Sequence, residues 1–270
     1  MKTTKIITLK FVLFLLICTT MSSCQQTEVV LTDYPDEIIY LPAALNGIYN
    51  IDNLPTKTLF DPTSGNPYKF TVNIDVNEFN IPLSVFRSGI KLKDAISVDI
   101  AINTDTITKL ITQGTLISTE ILPATMFKIN SSVNVESGKN VGTFNLNLDL
   151  KSLKTNAPTK KYAIAINISS KARKSNPLYN TVIIIIDTKI MIPTANFSFV
   201  VDQTTSSKIN FTNTSLYAVS YLWDFGDGTT STDINTAHSY SQSGTYSVKL
   251  NATGLSGDVV TQIQSVNASL

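Results

Sequence analysis

Tyr221, Trp223 and Phe225 alternate with Leu222 and Asp224, then run into Gly226-Asp227-Gly228. A period of two puts the three rings on one face of a strand, and Asp-Gly is a strong signal for the turn of a hairpin. Tyr246, Val248 and Leu250 repeat the alternation behind Gly244 and predict a second core strand. A strand showing three adjacent rings to water would expose an apolar patch that soluble domains rarely tolerate. Trp223, the only tryptophan, is therefore expected in a core and not on a ligand platform.

These residues, with Ala237-His238-Ser239-Tyr240 between them, resemble the PKD (polycystic kidney disease) domain. That family carries a Trp-Asp-Phe-Gly-Asp-Gly strand and turn, a His-x-Tyr and a Gly-x-Tyr-x-Val-x-Leu. The resemblance covers 193–270 and departs at Thr236, where the family usually has proline. It implies an immunoglobulin-like sandwich expected to fold alone, and it names no ligand.

From 36 to 191 the pattern is also β. Tyr68, Phe70, Val72 and Ile74 alternate, as do Val98, Ile100 and Ile102. Phe144 to Leu150 and Tyr162 to Ile168 alternate in the same way. Thr181–Asp187 is a run of apolar, β-branched residues, which predicts a strand either covered on both faces or closing the sandwich core. Residues 106–112 are expected to make one helical turn and nothing longer. Short strands punctuated by glycine and proline predict a second sandwich, so the fold class is all-β with two tandem immunoglobulin-like β-sandwiches. Pro193, which has no N–H to give a ladder, marks the boundary.

Ile38-Ile-Tyr-Leu-Pro42, Leu83-Ser-Val-Phe-Arg-Ser-Gly89, Ile96-Ser-Val-Asp-Ile100 and Ile121-Leu-Pro123 with Phe127 resemble blocks of a domain of unknown function found at the N-terminus of many Bacteroidota surface lipoproteins. The resemblance implies a setting beside glycan-uptake systems.

Residues 1–23 read as a signal peptide: three lysines, a short apolar run from Phe11 to Cys18, then Met21-Ser22-Ser23-Cys24. The run is much shorter than the roughly 20 residues that span a bilayer. The last four residues resemble the bacterial lipobox, which implies lipid on Cys24 and a polar tether over 24–35. The alternative is an ordinary signal peptide with a spare cysteine near its cleavage site. Gln25 after Cys24 resembles lipoproteins sent to an outer membrane, with the face left open. Cys18 would leave with the signal, so no disulfide within the mature chain is expected.

Loss of Lys2, Lys5 and Lys10 takes the 21 basic residues to 18 against 20 acidic, a net charge of −2. Such a balance excludes nucleic acid as a partner, since phosphate binding needs a concentrated basic surface. His238 is the only histidine, and no nucleophile elbow, phosphate loop or Cys-x-x-Cys is present. An enzyme is not expected; neither is a cofactor or a metal, and His238 is expected to serve structure. Asp224, Asp227 and Asp233 surround the Gly-rich turn without an EF-hand spacing, and are assigned to turn formation.

Two functions fit. One is a lipid-anchored accessory that captures glycans or adheres to a surface partner; the other is a spacer that braces a partner protein. Sugar binding would draw on rings outside the clean alternation: Tyr34, Tyr49, Phe60, Phe79, Tyr179 and Tyr217.

Overall fold

Alternating apolar side chains become two sandwiches in the computed structural model, which describes residues 36–55, 68–89, 92–205 and 207–269. The first contains β1 (Ile38–Tyr40), β2 (Tyr49–Ile51), β3 (Thr71–Asn73), β4 (Glu78–Arg87), β5 (Ile96–Ile102) and β6 (Glu120–Ile121). It continues with β7 (Phe127–Ile129), β8 (Ser132–Val135), β9 (Val141–Asp149), β10 (Lys161–Ser169), β11 (Lys174–Ser175) and β12 (Thr181–Asp187). One sheet runs β11-β1-β4-β9-β7 with β3 on β4, and the other runs β2-β12-β10-β5-β8 with β6 on β10. Phe79, Ile81, Leu83 and Val85 of β4 face Ile164, Ile166, Ile184 and Ile186 of the opposite sheet in a single core. Each such side chain, fully removed from water, contributes about 1.5–3 kcal/mol before chain entropy is set against it.

The unbroken apolar run of β12 is covered on both faces, the first of the two arrangements its composition allows. Val182, Ile184 and Ile186 enter the core between the sheets, while Ile183 and Ile185 pack outside with Ala163 and Ala165 of β10. The outer cover is α1 (Thr104–Thr112), and it corrects the expectation of a single turn. Ile107, Leu110 and Ile111 share one face of this helix and meet the two alanines. Asn103 caps it by accepting from the Thr106 N–H at 3.0 Å. At the other end Gly114 takes φ +74°, and its N–H reaches the Ile111 carbonyl at 3.0 Å. A short α2 (Leu150–Thr155) follows β9, begun by Asp149, which accepts from the Ser152 N–H.

The strand expected over 68–74 shrinks to three residues. Phe70 is buried and stacks on Phe79 at 4.5 Å, but Ile74 is exposed at the turn into β4. Arg87 is fully buried, with Nη1 donating to the Asp94 carbonyl at 2.5 Å and Nη2 to the Lys139 carbonyl at 2.9 Å. It ties the loop before β5 to the β8–β9 turn.

The second sandwich contains β13 (Phe197–Val201), β14 (Lys208–Asn213), β15 (Ala218–Asp224), β16 (Thr230–Ser231), β17 (Thr236–Ser239), β18 (Gly244–Gly254) and β19 (Val259–Ala268). Its sheets run β13-β14-β17 and β16-β15-β18-β19. Trp223 has no exposed surface. Its ring meets Phe197 edge-on at 5.1 Å and Phe211 at 5.5 Å, and its Nε1 donates to the Asp233 carbonyl at 2.9 Å. Phe225 is buried beside it, whereas Tyr221 is half-buried at the margin.

Residues 37–270 form one compact unit, and the β18–β19 turn explains why. Leu255, 9% exposed, is a member of the first sandwich's core and not of the second's. Ser256 Oγ donates to the Met191 carbonyl at 3.0 Å, and Lys154 of α2 pairs with Asp258 at 2.6 Å. Gly254 lies so close to Pro193 that a Cβ there would sit 2.6 Å from the proline Cδ. Among the described residues no helix is long and apolar enough to cross a membrane.

Candidate functional site

Where β12 ends, its apolar run gives way to Asp187, whose side chain is 5% exposed. Burying a carboxylate is costly unless it is paired. Lys189 Nζ lies 3.2 Å and Lys161 Nζ 3.6 Å from its Oδ2, and Oδ1 accepts from the Lys189 N–H at 3.2 Å. The hydrogen bond to Asp187 in turn holds the Lys189 ammonium above its usual pKa.

This trio forms one wall of a cleft of about 240 Å³ on the outer face of the second sheet. The floor is apolar, from Ile48, Leu116 and Ile185; the rim adds Asn50, Asp52, Thr115 and Thr119. Two lysines and two aspartates give it no net formal charge, and neither histidine nor cysteine lines it. Seven of the eleven lining residues are polar or charged, so the cleft offers several donors and acceptors beside a small apolar floor. Such a cleft suits an uncharged, polar ligand. The residue types give little warning of it, because Asn50, Lys161 and Lys189 come from three separate elements. Only the abrupt Ile-Asp-Thr-Lys ending of β12 is a local signal.

The rings nominated for sugar stacking do not make a platform. Phe79 faces the core of β4 with no exposed surface, which corrects its placement outside the alternation. Pro82 sits in β4 opposite Asn145 and breaks the strand pattern a reader looks for. Tyr49, Tyr179 and Tyr217 pack against the first core as partly buried rings. Burial pushes the Tyr49 hydroxyl up to about 12. Lys189 lies over the Tyr217 ring at 5.9 Å. Tyr34, Phe60 and Cys24 lie outside the described residues.

The acidic turn of the second sandwich is fully used by its own fold. Asp224 accepts from the Gly226 N–H at 3.0 Å and from Lys249 at 3.2 Å. Asp227 accepts from Thr229 Oγ1 at 2.6 Å and bonds His238 Nε2 at 2.7 Å. Burial raises the Asp227 pKa, but the bonds from Thr229 and His238 outweigh it and leave it lowered. Asp233 Oδ2 accepts from Ser231 Oγ. Gly226, at φ +80°, is fixed by space as well as by conformation, since a Cβ would lie 2.8 Å from the Ser247 carbonyl oxygen. His238 stacks on Phe225 at 4.2 Å and meets Tyr240 edge-on, and Tyr240 Oη donates to the Phe225 carbonyl at 3.0 Å. The histidine holds the turn against the sandwich, a structural role.

Residues 192–268 match the family model of the PKD domain. They form a PKD domain. Residues 52–175 match the model of an N-terminal domain family. Both are non-catalytic types of domain. Collagenase ColA of Bacillus cereus is 62% identical over 32 residues, 12% of this chain and 3% of the collagenase. The metalloprotease PrtV of Vibrio cholerae is 50% identical over 48 residues, 18% of this chain and 5% of PrtV. The chain thus matches only a small part of either protease. The crystal structure of the PrtV PKD1 domain aligns at 38% identity, covering 29% of this chain and 98% of that domain with a TM-score of 0.27. A two-domain protein of unknown function from Bacteroides fragilis aligns at 11% identity over 86% of each chain, TM-score 0.40. The PKD domain supplies the acidic turn and the docking turn, while the cleft belongs to the N-terminal domain.

Proposed function

We propose that this chain is an exported, lipid-anchored binding protein of the outer membrane that captures a glycan or a surface partner without catalysis. The observation that carries the reading is the cleft at Asp187: a small apolar floor and a polar rim of zero net charge, lined by neither histidine nor cysteine. Hydroxyl groups can donate to Asp52 and Asn50 and accept from Lys161, while carbon faces rest on Ile48 and Ile185. A glycan array probed with the purified chain tests it. Saturable binding to an uncharged oligosaccharide is expected, weakened at least tenfold by Asp52→Ala or Lys161→Ala. Binding unchanged in both variants would move the ligand elsewhere, and silence across the array would remove the glycan reading.

The anchor has its own test. Labelling cells with an alkyne fatty acid is expected to mark the chain, and Cys24→Ala is expected to abolish the mark and release the protein. A Cys24→Ala variant that stays labelled contradicts a lipid on that thiol.

The second reading, a spacer that braces a partner, is favoured by one observation. Leu255, Ser256 and Asp258 fasten the PKD domain to the N-terminal domain. A locked pair holds a fixed angle, as a strut must. Both readings share a two-domain body that behaves as one piece.

A further inference from the structure

The last strand, β19, is unlike every other strand that ends a sheet. Those run two to five residues, whereas β19 runs ten, Val259–Ala268. Along one side it pairs with β18 through ten consecutive residue pairs without a register shift. Along the other its backbone has no main-chain partner among the described residues. Long flat edges are normally blunted by lysine, proline or a bulge, because unpaired N–H and C=O groups recruit another strand. None of these devices is present, for Val-Val-Thr-Gln-Ile-Gln-Ser-Val-Asn-Ala contains neither charge nor proline. On its outer face Val259 and Ile263 are 58% and 54% exposed.

The order of residues identifies the partner. About Ile263 the strand reads nearly the same in both directions: glutamine on each side, then Thr261 and Ser265, then Val260 with Val266 as the next inner-face pair. We propose that β19 pairs antiparallel with β19 of a second copy of this chain, the two-fold axis passing at Ile263. Under that symmetry Ile263 faces its own copy and Thr261 faces Ser265. Gln262 faces Gln264, and Val260 faces Val266. These are aliphatic and hydroxyl cross-strand pairs of the favourable kind, and no like charges meet. An isologous contact of this sort closes on itself and stops at two copies. Centring at Ile263 also places Asn267 opposite Val259, so the paired residues 259–267 stop short of the docking turn at 254–258. Gln264 Nε2 donates to the Phe197 carbonyl at 2.6 Å, which pins the inner side of the edge to the opposite sheet and leaves the added strand to join in the plane. The product is one continuous sheet of eight strands shared by two PKD domains.

Sedimentation equilibrium of the chain from Gln25 onward tests the pairing. A monomer–dimer equilibrium is expected, with Ile263→Lys weakening association at least tenfold because two ammonium groups then face each other across the axis. Ile263→Glu is expected to weaken it likewise, and an equimolar mixture of the two variants to restore a dimer of one copy of each. Each variant is expected to keep the parent unfolding midpoint when the two are compared at concentrations where the parent is monomeric, since the side chain faces solvent and association would itself raise the midpoint. A parent chain that stays monomeric at every concentration up to about 1 mM, where only the weakest contacts fail to show, overturns the proposal. A dimer that ignores both charges, or a mixture that stays monomeric, overturns it as well.

Discussion

Truncation of Trp223 to alanine is expected to destabilise the PKD domain by about 3–5 kcal/mol, the usual cost of removing a large aromatic side chain from a core. The ring has no exposed surface and touches Phe197 and Phe211. Its loss leaves a cavity between the two sheets and strands the Asp233 carbonyl that Nε1 satisfies. Urea unfolding followed by circular dichroism measures the change. Trp223→Phe is expected to cost less, because it keeps most of the packing and loses only the indole bond. An alanine variant with an unchanged midpoint would move Trp223 from the core to the candidate ligand contacts.

Trp223 and the PKD turn were legible because the strand period and the Asp-Gly turn are local signals, read within eight residues. β12 was legible as a buried strand for the same reason, since the run of five apolar residues between Thr181 and Asp187 leaves no face for water. What covers it was harder to foresee. Helix α1 has just three large apolar residues on its buried face, and the alanines that receive it, Ala163 and Ala165, look unremarkable inside β10. Phe79 was misplaced because Pro82 interrupts its strand, although Pro82 is accommodated opposite Asn145. The cleft assembles residues from β2, β10 and β12 with a loop, and register across a sheet is not written in any one segment. Leu255 lies between two glycines in a polar turn, Gly254-Leu-Ser-Gly257, and reads as an exposed loop residue. Its burial depends on a neighbouring domain 60 residues or more away along the chain, as the Ser256 bond to Met191 spans 65 positions.

Leu255→Ala is the second large effect. Removing an apolar side chain that is 9% exposed from the first core is expected to cost about 2–5 kcal/mol of the coupled structure. The ion pair beside it adds little, since Lys154 and Asp258 are each about one-third or more exposed and such pairs contribute about 0–1 kcal/mol. Leu255, with Tyr217 of the PKD domain packed against the same core, therefore carries most of the coupling. Loss of the Leu255 side chain is expected to free the PKD domain to unfold separately, while the cleft at Asp187 is expected to keep its shape, since Met191 and Lys154, which the turn at 254–258 bonds, are not among its lining residues.

The single tryptophan makes the two-domain body directly measurable, because Trp223 fluorescence reports only the PKD domain whereas circular dichroism reports the strands of both. In one thermal scan of the intact chain the two signals are expected to follow one coincident transition, as a cooperative unit requires, and to separate in Leu255→Ala. Two separate transitions in the unaltered chain would contradict the account.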